Sequence, residues 1–439
     1  MFALLGVAYE GVGHLATALS RVVPQGEGKL RRTFAARAGV VERWERWAHT
    51  HRDPSRPLAW FHAPSVGEGL QARPVMELVR ARHPEWQLVY SFFSPSAERF
   101  AAGLSADFAD YLPFDTRDAA RRLLAALRPS ALVFSKLDVW PVLAEEVASE
   151  GVPLGMVSAT VGPASARRGR LARVLLRDAH AAFTAVGAIG PEDAQRLVEL
   201  GFPRPAVTVT GDTRYDQVTG RAAAVDRNAP LLAALGDHRP TLVAGSTWPS
   251  DEAVLLPAWE AVRTRIPGAR LIVAPHEPTA AHLAPIEAWA RGAGMQWARL
   301  DDATPDTEVV VVDRVGVLGE LYTLATVAWV GGGFHRAGLH SVLEPAAFGA
   351  PVVFGPRHDN ARDAGLLIAC GGGCVVADLP AAIDAVHRWL TDPTMAGRAA
   401  LQLVRAGTGA SERSYDLVRA LVRDAVRTSG TRAEPAGQR

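Results

Sequence analysis

Two cysteines in 439 residues, Cys370 and Cys374, are too few for a disulfide-stapled fold. They sit in ACGGGC without further cysteine or histidine close by, so they read as reduced small residues in a reducing compartment rather than as metal ligands. An excess of one charge is also missing. The net charge of +1 gives no global electrostatic basis for nucleic-acid binding. The chain has no GxxxxGKS or GxxxxGKT, which argues against a P-loop ATPase, and its first strand does not lead into GxGxxG, which argues against an ordinary dinucleotide enzyme. A clean hydrophobic run is lacking too. The apolar start, MFALLGVAYEGVGHLATALSRVV, carries Glu10 and His14, so it is a weak spanning helix, and it has no basic n-region of a signal peptide. Two readings of it stay open: a helix lying in a membrane interface, or a buried amphipathic helix.

What the chain does have is ordinary globular material, 48% hydrophobic and 21% charged, in a length that suits two or three domains. Arg31, Arg32, Arg37, Arg43, Arg46 and Arg52 crowd ahead of the first clear strand. With Lys29, several of these suit lipid phosphates or an anionic membrane surface, or else form a solvated helical face. From residue 57 the pattern becomes strand, turn, helix. PLAWFHA, WQLVYSFF, PSALVFS and VPLGMVSA form one series; TLVAGS, ARLIVAP, TEVVVVD, TVAWVGGG and APVVFGP form a second. Short apolar runs between amphipathic helices predict α/β domains with parallel sheets covered on both faces. The expected architecture is two doubly wound Rossmann-like domains facing across a cleft, joined within residues 207–218. Ligands in such sheets bind outside the carboxyl ends of the strands.

The stretch FHAPSVGEGL places Ser65-Val66-Gly67-Glu68 directly after a strand. It fits a capping box, in which Ser and Glu satisfy free backbone N–H groups, yet the carboxylate also sits where a substrate would meet it. On the residues alone, whether Glu68 is architecture or chemistry stays open. Ser341-Val342-Leu343-Glu344 repeats the pattern in the second half, inside the polar segment HRAGLHSVLEPAAFG. Capping alone does not call for His340 there, or for Gly331, Gly332 and Gly333 upstream. Glycines at strand ends, in VAGST, VGGGF and VFGP, would let a nucleotide or sugar phosphate approach the backbone.

SVGEG after a strand, TGDTRYD, and VGGGFHRAGLHSVLEPAAFGAPVVFGP together resemble the Kdo transferases, over about residues 57–415. These are GT-B glycosyltransferases that move 3-deoxy-D-manno-oct-2-ulosonic acid (Kdo) from CMP-Kdo to a lipid A precursor in lipopolysaccharide biosynthesis. The resemblance implies an acceptor-binding domain at 51–210 and a CMP-sugar domain at 211–427 with a C-terminal helix. A membrane-associating basic segment would precede them at 1–50, and a disordered tail would follow at 428–439. It implies inversion at the anomeric carbon with no metal and no cofactor beyond the donor substrate. The location implied is the cytoplasmic face of the inner membrane, peripheral or N-terminally anchored. Glu68 matches the general base. Gly245, Ser246, Thr247, His276, Gly331, Gly332, Gly333, His340, Ser341, Glu344 and Asn360 match donor-binding positions. Where much of the family has an ETELWP-like motif this chain reads SKLDVWP, so Lys136 replaces an acid and Asp138 keeps one. Ser65, Lys136, Asp138, Arg31 and Arg32 are the candidates for the acceptor or for Kdo's carboxylate, with Asp138 the reserve base. Arg214 is expected to brace the domain junction through Asp212 or Asp216. The competing readings are a GT-B transferase or epimerase using a UDP-sugar, and an inactive scaffold. Stabilisation by CMP but not by UDP separates the first of these from Kdo transfer.

Overall fold

The structure, a computed structural model, describes residues 2–23, 28–162, 165–236 and 239–432. The first sheet contains β1 (Leu58–His62), β2 (Gln87–Phe92), β3 (Phe108–Tyr111), β4 (Ala131–Ser135), β5 (Leu154–Ala159), β6 (Phe183–Ala188) and β7 (Val207–Val209), in the order β3-β2-β1-β4-β5-β6-β7. The second contains β8 (Thr241–Thr247), β9 (Arg270–Pro275), β10 (Trp297–Arg299), β11 (Val309–Val311), β12 (Val327–Val330), β13 (Val352–Phe354) and β14 (Gly373–Val375), in the order β10-β11-β9-β8-β12-β13-β14. Every pairing is parallel. The central strands are buried on both faces, as their unbroken apolar runs require. In the first sheet the order reverses between β1 and β4, in the second between β8 and β12. Each reversal opens a crevice at the carboxyl ends of its two strands, the place where such sheets take ligands.

The chain divides into two compact units, one of residues 1–216 plus 408 onward, the other of residues 217–407. Trp60, Phe61 and Phe134 are fully buried in the first core, Trp259 and Trp329 in the second. The expected domain limits need two corrections. The first 50 residues are not a separate segment, because helix Val40–His51 drives Trp44 and Trp47 into the first core, Trp44 lying 6.0 Å from Trp60. The C-terminal helix Ala410–Arg432 likewise closes the first unit: Tyr415, Val418, Leu421 and Val422 are buried in that core, and a side chain on Gly155 would strike Leu421. Asp216 holds the start of this helix by accepting from Gly409 and Ser411 N–H, both at 2.6 Å, while Arg214 pairs with Asp212 at 2.7 Å. The helix runs past residue 428 to Arg432; the remainder of the tail expected to be disordered lies outside the described residues.

The arginine cluster splits. Arg37 is buried, donating to Leu112 O at 3.0 Å and Phe93 O at 2.7 Å. Arg43 pairs with Asp110 at 2.6 Å, and Arg52 Nε caps helix Arg117–Leu127 through Leu127 O at 2.6 Å. These three hold the interior together. Arg31 and Arg32, on helix Lys29–Ala35, stay exposed with no ion pair among the described residues. The N-terminal helix Phe2–Val22 turns its polar side inward: Tyr9 donates to Asp115 at 3.1 Å, and Glu10 accepts from Arg117 N–H at 3.0 Å. Its other face leaves Val7, Val12, Leu15, Leu19 and Val22 exposed. No helix among the described residues is long and apolar enough to cross a membrane.

Candidate active site

In the first unit, β1 ends at His62 and the chain turns into helix Val66–Arg82, whose N-cap is Ser65. The capping box does not form. The Ser65 hydroxyl donates to the Glu68 carboxylate (Oε2) and makes no cap hydrogen bond. The helix start thus leaves Glu68 Oε1 free of backbone duty, and it meets Lys136 Nζ at 3.4 Å. Lys136 follows β4 on the other side of the switch point. Its N–H donates to Val157 O at 2.9 Å, and its φ of 60° lies in the left-handed region that L residues rarely occupy. Of the 47 basic residues only Lys29 and Lys136 are lysine. Ser135 Oγ donates to Glu68 O at 2.8 Å, tying the β4 end to the helix start.

Asp138 follows Lys136 by two residues and has partners of its own. Burial works against its charge, but His62, Arg167 and Trp140 outweigh it and hold the carboxyl below the usual range. Arg167 donates to Oδ1 at 3.0 Å and Trp140 Nε1 to Oδ2 at 3.1 Å; His62 Nε2 is 3.9 Å away. His62 is fully buried, its Nδ1 2.9 Å from Ser91 Oγ. The arrangement suits Asp138 to an electrostatic or positioning role, since a carboxylate held this firmly is a poor proton acceptor.

In the second unit, β8 delivers Trp248 to the start of helix Pro249–Arg263, and β12 delivers the glycine loop. Asp251, fully buried, joins the two. It accepts from Trp248 N–H at 2.9 Å, Gly332 N–H at 2.8 Å and Phe334 N–H at 3.0 Å. The triple glycine is required by backbone packing, a reason that the sequence alone did not show. A Cβ on Gly331 would fall on Ser246 O, one on Gly332 on Gly338 O, and one on Gly333 on Gly355 N; Gly332 also has φ 92°. Gly245 has the same character, because Tyr322 OH fills the space beside it. Thr247 is buried and donates to Glu252 at 2.7 Å, whereas Ser246 sits half-buried at φ 53°.

Four rings gather over this loop. Trp248 stacks on His335 with centroids 4.0 Å apart and on His276 at 4.7 Å; His276 lies 4.5 Å from His340. The indole Nε1–H donates to His340 Nε2 at 3.2 Å. Burial, with His276 and His335 adding to it, pushes the His340 imidazole down to about 4. Asn360 grips Leu339 from both sides, Oδ1 accepting its N–H and Nδ2 donating to its carbonyl at 3.0 Å each, which fixes the approach to His340. Asn360 therefore shapes the loop.

The second Ser-x-x-Glu is no capping box either. The helix is Leu343–Ala347 with Val342 as its N-cap, and Ser341 is exposed. Glu344 is left to line a cavity of about 730 Å³ with Arg221, Val218, Leu318 and Phe348. Burial raises its carboxyl above the ordinary range, against the pull of Arg221 at 3.9 Å. Among the described residues no group of three or more His, Cys, Asp or Glu is arranged to hold a metal ion.

Comparison with known proteins gives the family and the fold. Residues 36–217 match the model of the family described as 3-deoxy-D-manno-octulosonic-acid transferase (kdotransferase). The 3-deoxy-D-manno-octulosonic acid transferase of Bordetella pertussis is 30% identical over 379 residues, covering 82% of this chain and 87% of that protein. The one from Haemophilus influenzae is 24% identical over 393 residues, covering 87% and 91%. This chain belongs to the Kdo transferase family of glycosyltransferases. Among solved structures, the UDP-GlcNAc 2-epimerase from Neisseria meningitidis superposes with a TM-score of 0.57 at 12% identity, covering 85% of this chain and 100% of that one, which supports the GT-B-like fold alone. Motif reading singled out Glu68, Lys136, His340 and Glu344. It did not single out the residues that the structure sets against these candidates or against their loop, Trp248, Asp251, His335, Arg167 and Arg221, each of which meets a partner distant in sequence.

Proposed function

We propose that this chain transfers Kdo from CMP-Kdo to a lipid A precursor of the lipid IVA type, with inversion and without a metal. The observation that carries the reading is the state of Glu68: it sits at the switch point of the first sheet, at a helix start, without being spent on capping. In this mechanism Glu68 takes the proton of the acceptor hydroxyl as that oxygen bonds to the anomeric carbon, and the bond to CMP breaks with its electron pair leaving on the phosphate. Lys136 orients the Glu68 carboxylate and is the cation available to an acidic sugar. In the second unit, Glu344 would accept from the ribose hydroxyls, and His340 would donate to the phosphate or to the sugar. The deciding experiment measures CMP release from CMP-Kdo with lipid IVA, comparing wild type with Glu68→Gln. A loss of about 100- to 10,000-fold with an unchanged melting temperature supports general-base catalysis. Near-normal turnover removes Glu68 from the mechanism, and no turnover in wild type removes the donor or the acceptor.

The same reading puts the protein on the cytoplasmic face of the inner membrane. The exposed stripe of Val7, Val12, Leu15, Leu19 and Val22, with Leu30 exposed nearby in sequence and Arg31 and Arg32 beside it, has the make-up of an interfacial helix. Co-sedimentation with anionic vesicles tests this. Leu15→Asp should weaken it strongly, and equal binding by the variant rules the stripe out.

A further inference from the structure

We infer that Trp248 is a positioning residue that holds His340 as the neutral tautomer protonated on Nδ1, so that His340 meets its ligand as a hydrogen-bond donor and not as a cation. An indole N–H can only donate. Its 3.2 Å contact with His340 Nε2 therefore needs a lone pair on that nitrogen, which leaves the ring proton on Nδ1. Forming the imidazolium would set a second hydrogen against the indole N–H and break the bond. Trp248 is itself held in place: His335 stacks on it with planes 9° apart, His276 at 28°, and its backbone N–H is tied to Asp251.

The surroundings support the same state. The titratable groups facing the ring are His276, on the turn after β9, and His335, on its own loop; Asp251, in the helix Pro249–Arg263, faces His335. Both histidines oppose a further positive charge, and burial opposes it more. Among the described residues nothing accepts from His340 Nδ1, so that proton is available to a ligand. A site built this way binds an anion with a strength that does not follow the titration of a histidine near neutral pH.

The inference rests on the donor reading for its ligand and on geometry alone for its tautomer, so the test has two arms. In the first, the full-length protein labelled with ¹⁵N in its histidine rings is titrated by NMR, His340 being assigned by the signal lost in His340→Gln. The Nδ1–H pattern persisting from pH about 7.5 to about 5.5 is the expected result. An Nε2–H pattern, or a protonation in that window, overturns the inference whatever the protein binds. In the second arm the probe is the methyl ester of CMP, whose phosphodiester does not titrate there. Wild-type affinity should be flat with pH. Trp248→Phe, which keeps a stacking ring and loses the N–H, should bind the ester about three- to tenfold more weakly, because the freed ring populates the Nε2–H tautomer and no longer holds its proton on Nδ1. Unchanged affinity in the variant overturns the inference. If the ester binds neither, the donor reading fails and the first arm still decides; it decides also if Trp248→Phe does not fold.

Discussion

Lys136 Nζ lies 3.4 Å from Glu68 Oε1, and the lysine holds that position from a φ of 60°. Left-handed backbone costs an L residue about 1–2 kcal/mol, and glycine would avoid it. Lys29 is the one other lysine of the sequence, and under the proposed mechanism the strain at Lys136 is the cost of holding an ammonium against Glu68.

Two substitutions separate the cost from the use. Lys136→Met removes the ammonium at similar length and should lower kcat/KM about 10- to 100-fold, with the melting temperature little changed. Lys136→Gly should lower activity at least as much while raising stability by about 0.5 kcal/mol, the relief of strain less the added freedom of the unfolded glycine. A destabilised glycine variant would mean that the strain reading is wrong.

Asp115 supplies a pH dependence of stability. Burial pushes its carboxyl up to about 6 from 3.8, against the opposing hydrogen bonds from Val142 N–H, Leu143 N–H and the Tyr9 hydroxyl. The folded state therefore binds this proton more tightly than the unfolded chain does. The stabilisation is complete below the unfolded value and is lost as pH rises through about 6, to an extent of about 3 kcal/mol. Asp115→Asn removes the titration. The stability difference between variant and wild type, read from urea midpoints, should shift in the variant's favour from pH about 4 to about 7. A constant difference would put the titration elsewhere.

Glycine substitutions should divide sharply. Gly331→Ala sets a methyl group on Ser246 O and should unfold the loop or the second unit, measured as a large fall in melting temperature. Gly220→Ala, in helix Thr213–Ala224 with open space around it, should stabilise by about 0.5–1 kcal/mol.

Asp251 carries three backbone N–H groups at once. Asp251→Ala leaves them unpaired in a buried place and should cost about 3–5 kcal/mol, visible in denaturant melts, together with loss of nucleotide binding. Full stability in this variant would show that the glycine loop holds itself.

Short apolar runs betrayed the sheets: LAWFH and ALVFS, bounded by turn residues and alternating with amphipathic helices, fit strands covered on both faces. The strands that escaped notice were edge strands, β3, β7, β10 and β14, together with β6, whose apolar run FTAVGA is broken by an exposed Thr184 and by Gly187. β3 reads FADY and is half-exposed, β7 is three residues with two exposed, and β14 is Gly-Cys-Val. The Ser-x-x-Glu pattern drew attention to both carboxylates but gave Glu68 a capping role that it does not have, because a serine hydroxyl chooses between a backbone N–H and a nearby carboxylate only in three dimensions. Trp248 was invisible for a related reason. Its meaning comes from His335 and His340, 87 and 92 residues further on, and no local spacing encodes a ring stacked across two loops.

The way the chain closes its first unit has a consequence for synthesis. Residues 217–407 are one uninterrupted stretch, whereas the core of the first unit awaits Tyr415, Val418 and Leu421. The 191 residues between 216 and 408 occupy the ribosome for about 10–40 s. During that interval the first sheet has emerged but lacks the helix that covers Gly155, while the second unit, begun later, can be complete first. A nascent chain in this state exposes the apolar surface around Gly155, which makes the last helix the step that completes the first core.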